Sequence, residues 1–123
     1  MTLALAVGLA GAVGAVARFL TDGAVQDRRS GAFPFGTLTV NCTGSLILGI
    51  VTGLAWYHGL GGRVHVIVGV GFCGAFTTWS GVSWEAVQLA ERGLGRLAVL
   101  NVVGGVAAAA AFAAAGIVVA AVV

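Results

Sequence analysis

Two clusters of polar side chains interrupt an otherwise apolar sequence, and in the first of them every second residue is polar: Thr37, Thr39, Asn41, Thr43 and Ser45. On a helix, Thr37 and Asn41 share one face because residues four positions apart lie one turn apart. A threonine hydroxyl can bond to a carbonyl of the preceding turn, whereas an asparagine amide has no such partner on its own helix. We therefore expect one hydroxyl and one amide to face an aqueous path.

The second cluster combines hydroxyls with glycines and predicts a broken helix. Its members are Gly74, Thr77, Thr78, Ser80, Gly81 and Ser83. A break at membrane depth frees backbone groups that protein, ions or water must satisfy. The freed carbonyls suit a hard cation such as sodium, whereas donors and hydroxyls suit an anion. The alternative is an unbroken helix with an unusual run of threonine and serine.

The ionisable residues argue against catalysis. No carboxylate is expected deep in an apolar segment, because Glu85 is placed near the end of the third one. A proton-coupled exporter would need a titratable group at its centre. His58 and His65 border a predicted loop, and the sequence shows no nucleophile–base pair and no metal-ligand spacing of His or Cys. We predict that the protein is not an enzyme, and basic residues confined to loop positions predict no nucleic-acid partner.

The composition places the polar clusters inside a membrane. Of the 123 residues, 59% are hydrophobic and 8% are charged, against roughly 25% charged in soluble domains. A spanning helix needs about 20 apolar residues, so the chain can hold four spans. We predict an all-α membrane protein with a single transmembrane domain over residues 1–123. Four short helices enclose little interior, and we therefore expect an oligomer.

Short polar links separate four apolar segments. Pro34 suits the first turn of the second helix, and Trp56 and Tyr57 suit an interfacial aromatic belt. The third helix is expected to be broken at its centre. The four predicted spans cover residues 2–20, 35–57, 64–90 and 96–121.

The arginines predict an orientation in the cell membrane. Arg63 alone lies beside the second link, while the other five basic residues flank the first and third links. Those five are Arg18, Arg28, Arg29, Arg92 and Arg96. Because positive residues are enriched on the cytoplasmic side, loops one and three are predicted to be cytoplasmic and both termini to face out.

Three motifs follow one another across nearly the whole chain. Residues 11–19 read GAVGAVARF, residues 34–41 read PFGTLTVN, and residues 71–80 read GFCGAFTTWS. The first resembles the Gly/Ala-rich first helix of the CrcB/Fluc family of fluoride channels, which ends in Arg and an aromatic residue. The second and third resemble the family signatures PxGTLxxN and GFCGGxTTFS. Three matches in order and at the right spacing make the resemblance specific.

The resemblance implies a dual-topology dimer, in which two antiparallel subunits form two narrow pores that export cytoplasmic fluoride passively and reduce its toxicity. It also implies a structural sodium ion (Na+) at the dimer centre, held by the carbonyls of Gly74 and Thr77. Arg18 would lie in a vestibule. The implied pore-lining residues are Thr37, Asn41, Thr78, Trp79, Ser80 and Val82.

Four positions depart from the family pattern. The family's third helix carries two phenylalanines three residues apart, whose electropositive ring edges line the fluoride path, but this chain has Trp79 and Val82 there. Asn101 stands where the family often has a tyrosine, and Gly105 where it often has a serine. Together with the five-to-one distribution of arginines, these departures suggest one half of an obligate heterodimer with an oppositely oriented homologue.

Three alternatives remain open. The chain could form a homodimer with an altered, weaker or silent pore. It could be a non-conducting structural partner subunit of a heterodimeric channel. A small multidrug-type exporter has a similar length, but it would need a central acidic residue in its first helix, and none occurs before Asp22.

Overall fold

The computed structural model describes residues 2–123, which form an all-helical chain with four candidate membrane spans. Each span is long and apolar enough to cross a membrane, which confirms the predicted number and type of elements. The first two spans are single helices. The spans are α1 (Thr2–Gln26), α2 (Phe35–His58), a third span (Gly62–Glu91) and a fourth, α5 (Gly95–Val122).

The third span consists of two helices, α3 (residues 62–76) and α4 (Trp79–Glu91), separated by Thr77 and Thr78. Both intervening residues have extended backbone, with φ −81° and ψ 159° at Thr77 and φ −147° and ψ 124° at Thr78. The interruption lies inside the predicted interval between Gly74 and Gly81.

The helix α1 continues to Gln26, beyond the end predicted at residue 20. The polar residues of its last turns, which we interpreted as a loop, contact the start of α2. The backbone N–H of Gly36 donates to Oε1 of Gln26 at 3.2 Å, and Asp22 lies so close to Gly36 that a Cβ there would collide with it. The first N–H groups of a helix lack partners and carry partial positive charge, so these side chains stabilise the start of α2.

The core contact of the subunit joins α2 to α5 through glycines. A Cβ at Gly49 would collide with the carbonyl of Ala113, and one at Gly116 would collide with the carbonyl of Leu46. Such close backbone approach is how helices associate in a membrane, where no hydrophobic drive acts between them. The two helices are therefore locked together over their C-terminal halves.

A second close contact places α1 against α3. Gly14 is buried, and a Cβ there would collide with the backbone carbonyl of Phe72. Turns of the wider π type run from Val66 to Cys73 in α3, and each N–H in such a turn reaches one residue further back than in an α-helix. The packing of α1 against α3 brings Arg18 to the level of the interruption.

Because α1 is longer than predicted, fewer arginines flank the first link. Arg18 lies about two turns before the end of α1 and not beside the first link. Four arginines remain in or next to links one and three, against Arg63 next to the second link. The asymmetry behind the predicted orientation is therefore smaller but keeps its sign, and the orientation itself stays a prediction.

Candidate functional site

The interruption of the third span is closed off locally by two threonines. The N–H and the hydroxyl of Thr77 both donate to the carbonyl of Cys73, each at 2.9 Å. The hydroxyl of Thr78 accepts from the N–H of Gly81 at 3.0 Å, which makes Thr78 the N-cap of α4. Ser80, whose hydroxyl lies 3.1 Å from that of Thr78, is exposed beside it. These hydroxyls end one helix and begin the next.

Asn41 supports the same interruption from α2. Its Nδ2 donates to the carbonyl of Thr78 at 2.9 Å, and its Oδ1 accepts from the N–H of Thr78 at 2.7 Å. The amide thus replaces the helical partners that Thr78 lacks. One N–H of the amide remains for another acceptor, because an asparagine carries two donors.

A groove of about 270 Å³ runs along the interruption. It brings together most of the residues that the resemblance assigned to a pore or to a metal site, and α5 supplies its opposite wall. The lining residues are Asn41, Ser45, Leu48, Gly69, Cys73, Gly74, Thr77, Thr78, Trp79, Val82, Gly105, Val106 and Ala109. No charged side chain is among them.

The two positions that replace the family's phenylalanines differ sharply in the groove. Trp79 is 59% exposed, whereas Val82 is 4% exposed. The indole therefore borders the groove with most of its surface free, and Val82 contributes little more than the edge of one methyl group. The carbonyl of Val82 accepts from Nδ2 of Asn101 at 3.3 Å, so α5 contacts α4 directly at this level.

Thr37 lies outside the groove, in a polar cluster that we did not predict. It is 3% exposed, and its hydroxyl donates to Oε1 of Glu85. The second carboxylate oxygen, Oε2, is buried without a hydrogen-bond partner within residues 2–123. Glu85 lies six residues before the end of the third span, as expected, but its carboxylate is turned towards α2, which the sequence did not predict.

The position of Glu85 could have been recognised from the spacing on α4. Val82 and Leu89 are both buried, and Glu85 lies three residues after one and four before the other, which places all three on one helical face. The expectation concerned only the distance of Glu85 from the end of the span, which does not show whether the side chain faces another helix. A polar cavity of about 210 Å³ adjoins it, bordered also by Asp22, Gln26, Gln88 and Arg92.

Arg18 reaches the interruption from α1. Its Nη1 donates to the carbonyl of Thr77 at 3.3 Å. That carbonyl lies in the interruption and has no helical partner, because the N–H of Gly81 bonds instead to the hydroxyl of Thr78. The structure therefore brings the residue assigned to a vestibule together with one assigned to a metal site.

Backbone carbonyls at the interruption are the groups that could hold a cation. Residues 2–123 contain no group of three or more His, Cys, Asp or Glu side chains placed to bind a metal. Gly74 is exposed, and a Cβ there would meet nothing closer than 3.9 Å, so the backbone at this point is open to an approaching ion or chain.

Comparison with known proteins identifies the family. Residues 5–117 match the family described as CrcB-like protein, Camphor Resistance (CrcB). A protein of Leifsonia xyli named Fluoride-specific ion channel FluC 1 is 49% identical over 100 residues, which cover 81% of this chain and 73% of the relative. A protein of the same name in Frankia casuarinae is 48% identical over 106 residues, 80% of each chain. Fluoride-specific ion channel FluC 2 of Haloarcula marismortui is 48% identical over 103 residues, 84% of this chain and 81% of the relative.

These relatives are named as ion channels, which confirms the prediction that the chain is not an enzyme. The four candidate spans agree with a multi-pass membrane protein. On this evidence of sequence and fold together, the chain belongs to the CrcB/FluC family of ion channels.

Proposed function

We propose that this chain is a subunit of a fluoride channel in the cell membrane. Cytoplasmic fluoride would leave through it passively, down its own gradient, and the cell would be protected from fluoride toxicity. The relatives named as fluoride-specific channels support this substrate. The observation in the structure that carries the proposal is the uncharged groove beside the interruption.

The chemistry of the groove suits a small anion that must shed water and still move on. Asn41 retains one N–H donor, Ser45 offers a hydroxyl, and Trp79 offers an indole N–H and electropositive ring edges. A full positive charge in the wall would bind the anion too tightly for rapid release. A carboxylate would repel it, and Glu85 is not among the lining residues.

The exposure of the groove supports an assembly of two subunits. Trp79 is 59% exposed, and Gly74, which also lines the groove, is exposed as well. A single subunit would thus present one wall of a path to lipid, where an anion has no solvation. We infer that an oppositely oriented second subunit closes the groove, which follows the dual-topology arrangement implied by the family resemblance.

The interruption also fits the structural sodium ion that the resemblance implies. Carbonyl oxygens are hard ligands suited to a cation of this kind, and α3 ends with released carbonyls at Gly74 and Thr77. The Thr77 carbonyl also accepts from Arg18, but a carbonyl oxygen has two lone pairs and can serve two partners. Two carbonyls are few for one ion, so the second subunit would supply others.

Fluoride efflux from liposomes tests the proposed function. Purified chain is reconstituted into fluoride-loaded vesicles, and release is followed with a fluoride electrode beside a parallel measurement of chloride. We expect rapid release of fluoride and none of chloride. Trp79→Ala should lower the rate, while Trp84→Ala, a tryptophan 65% exposed on the same helix but outside the groove, should leave it unchanged. Equal rates in both variants would remove Trp79 from the path.

A second candidate function is a non-conducting structural partner in a heterodimeric channel. The valine at position 82 favours it, because this subunit then offers one aromatic edge at the groove, that of Trp79, and not two. Efflux measured with the chain alone and with a co-expressed homologue separates the two candidates. Release only in the presence of the homologue supports the partner role, and efficient release by the chain alone contradicts it.

A further inference from the structure

A second groove, distinct from the one beside the interruption, lies between the first turn of α2 and the first turns of α5. Its volume is about 400 Å³, and nearly all of its surface is apolar. The lining residues are Phe33, Phe35, Leu38, Leu97, Leu100, Gly104, Gly105 and Ala108. Leu97, Leu100, Gly104 and Ala108 recur every three or four residues and so form one stripe along α5, and Gly105 beside them also borders the first groove.

The shape of this groove follows from the glycine contacts described above. The helices α2 and α5 meet backbone to backbone at Gly49 and Gly116, and toward the other end they separate. Leu100, in the wall, is 54% exposed. The groove is therefore a wedge of apolar surface between the two helices.

The mouth of the groove is basic. The guanidinium of Arg29 lies over the ring of Phe35, with 5.1 Å between its carbon and the ring centroid. A guanidinium stacked on a ring still directs its N–H groups outward in its own plane. Arg96 is the neighbour of Leu97 in sequence, and both arginines are exposed. The residues of links one and three and the adjoining turns carry Arg28, Arg29, Arg92 and Arg96 against Asp22, Asp27 and Glu91.

We propose that this groove is a binding site for an anionic phospholipid of the bilayer. The acyl chain occupies the apolar wedge, and the phosphate receives hydrogen bonds from Arg29 at the mouth. Basic pockets between membrane helices bind lipid head groups in this way, and each basic residue near the surface adds attraction for anionic lipid. The geometry requires one ligand that is apolar along its length and anionic at one end, which a phospholipid is.

The test compares phosphatidylglycerol with phosphatidylcholine, which has similar chains but no net charge. Native mass spectrometry of the purified protein counts retained lipid, and thermal unfolding in detergent measures the stabilisation that each lipid gives. We expect phosphatidylglycerol to be retained and to raise the unfolding temperature more than phosphatidylcholine does. Arg29→Gln should abolish this preference, and Arg63→Gln, at the opposite end of the bundle, should keep it.

A variant that fills the groove tests the acyl chain separately. Ala108→Trp places a ring in the wedge, whereas Ala107→Trp places one on an exposed position of the same helix. The proposal expects loss of retained lipid in the first and not in the second. Equal retention in both variants, or no preference for phosphatidylglycerol in the unmodified protein, would overturn it.

A second copy of the chain could instead cover the groove. The variant Leu100→Cys tests this. If a second copy covered the groove, the cysteine would become cross-linked to that copy, either by a disulfide to its cysteine at position 100 or by a reagent to another position. Cross-linking in high yield would overturn the lipid proposal, and protection of the cysteine from a thiol reagent by added phosphatidylglycerol without cross-linking would support it.

Discussion

Asn41 and Thr78 are joined by two hydrogen bonds, from Nδ2 to the Thr78 carbonyl at 2.9 Å and from the Thr78 N–H to Oδ1 at 2.7 Å. The amide lies beside the interruption of the third span and satisfies both backbone polar groups of Thr78, its N–H and its carbonyl. Asn41 therefore holds the backbone of the interruption and also lines the groove.

Replacing Asn41 by alanine should cost stability as well as conduction. Two backbone groups would lose their partners, and each buried polar group left unpaired costs roughly 1–3 kcal/mol. We expect the free energy of unfolding, measured by titration in mixed micelles, to fall by about 2 kcal/mol. Thr39→Ala is the matched control, because the Thr39 hydroxyl bonds only to the carbonyl of Phe35 on its own helix. Equal losses in the two variants would argue against the bridging role.

The contact between Thr37 and Glu85 should be visible in the same measurement. Thr37→Val removes the hydroxyl that donates to the buried carboxylate while keeping the shape of the side chain. We expect a loss of roughly 1–3 kcal/mol, because a charged group then lacks its donor. Thr37→Ser, which keeps the hydroxyl, should stay close to the unmodified protein. A valine variant as stable as the serine variant would show that the contact is not formed.

The two positions that replace the phenylalanines should respond in opposite ways. Val82 is 4% exposed, so Val82→Phe forces a ring into a packed site and should cost about 1–3 kcal/mol. Trp79 is 59% exposed, and Trp79→Phe should change stability by less than about 0.5 kcal/mol. Because the smaller ring keeps its edges and leaves more room in the groove, we expect fluoride efflux to rise in Trp79→Phe. An efflux rate that falls would show that the indole N–H is needed.

The spans and the interruption could be predicted from the sequence because each depends on local composition. Apolar segments of sufficient length predict helices in lipid, and the run of Gly, Thr and Ser around Thr77 and Thr78 predicts a break. The chemistry of Asn41 was equally visible, since an amide in an apolar helix needs a partner. Its partner could not be predicted, because the distance between α2 and α3 depends on how the whole bundle packs.

Three contacts that the sequence did not predict have one physical origin. The first span was predicted to end at residue 20, before the polar Asp22 and Gln26, yet both belong to α1 and contact the start of α2. Arg18 was consequently placed at a helix end, and its bond to Thr77 was not anticipated. Glu85 was judged by its distance along the span and not by the face it occupies. A polar residue therefore indicates the end of a span only where no neighbouring helix offers its side chain a hydrogen-bond partner.

The glycine contact between α2 and α5 gives a sharp prediction of stability. Gly49→Ala places a methyl group against the carbonyl of Ala113, and the two helices must separate to receive it. We expect a loss of about 2–3 kcal/mol, as for other overpacked sites. Gly8→Ala is the control, since a Cβ at Gly8 meets nothing within 4 Å, and it should be neutral or slightly stabilising. Similar stability of the two variants would mean that α2 and α5 are not in backbone contact.

The same contact constrains how the subunit is made. α2 and α5 are separated along the chain by the whole third span, so the closest partner of α2 is synthesised only after that span. Until α5 enters the membrane, Gly49 and Gly53 have no helix packed against them, and the carbonyl of Val82 lacks the hydrogen bond from Asn101. The nascent protein therefore passes through a stage in which three helices are inserted without their core.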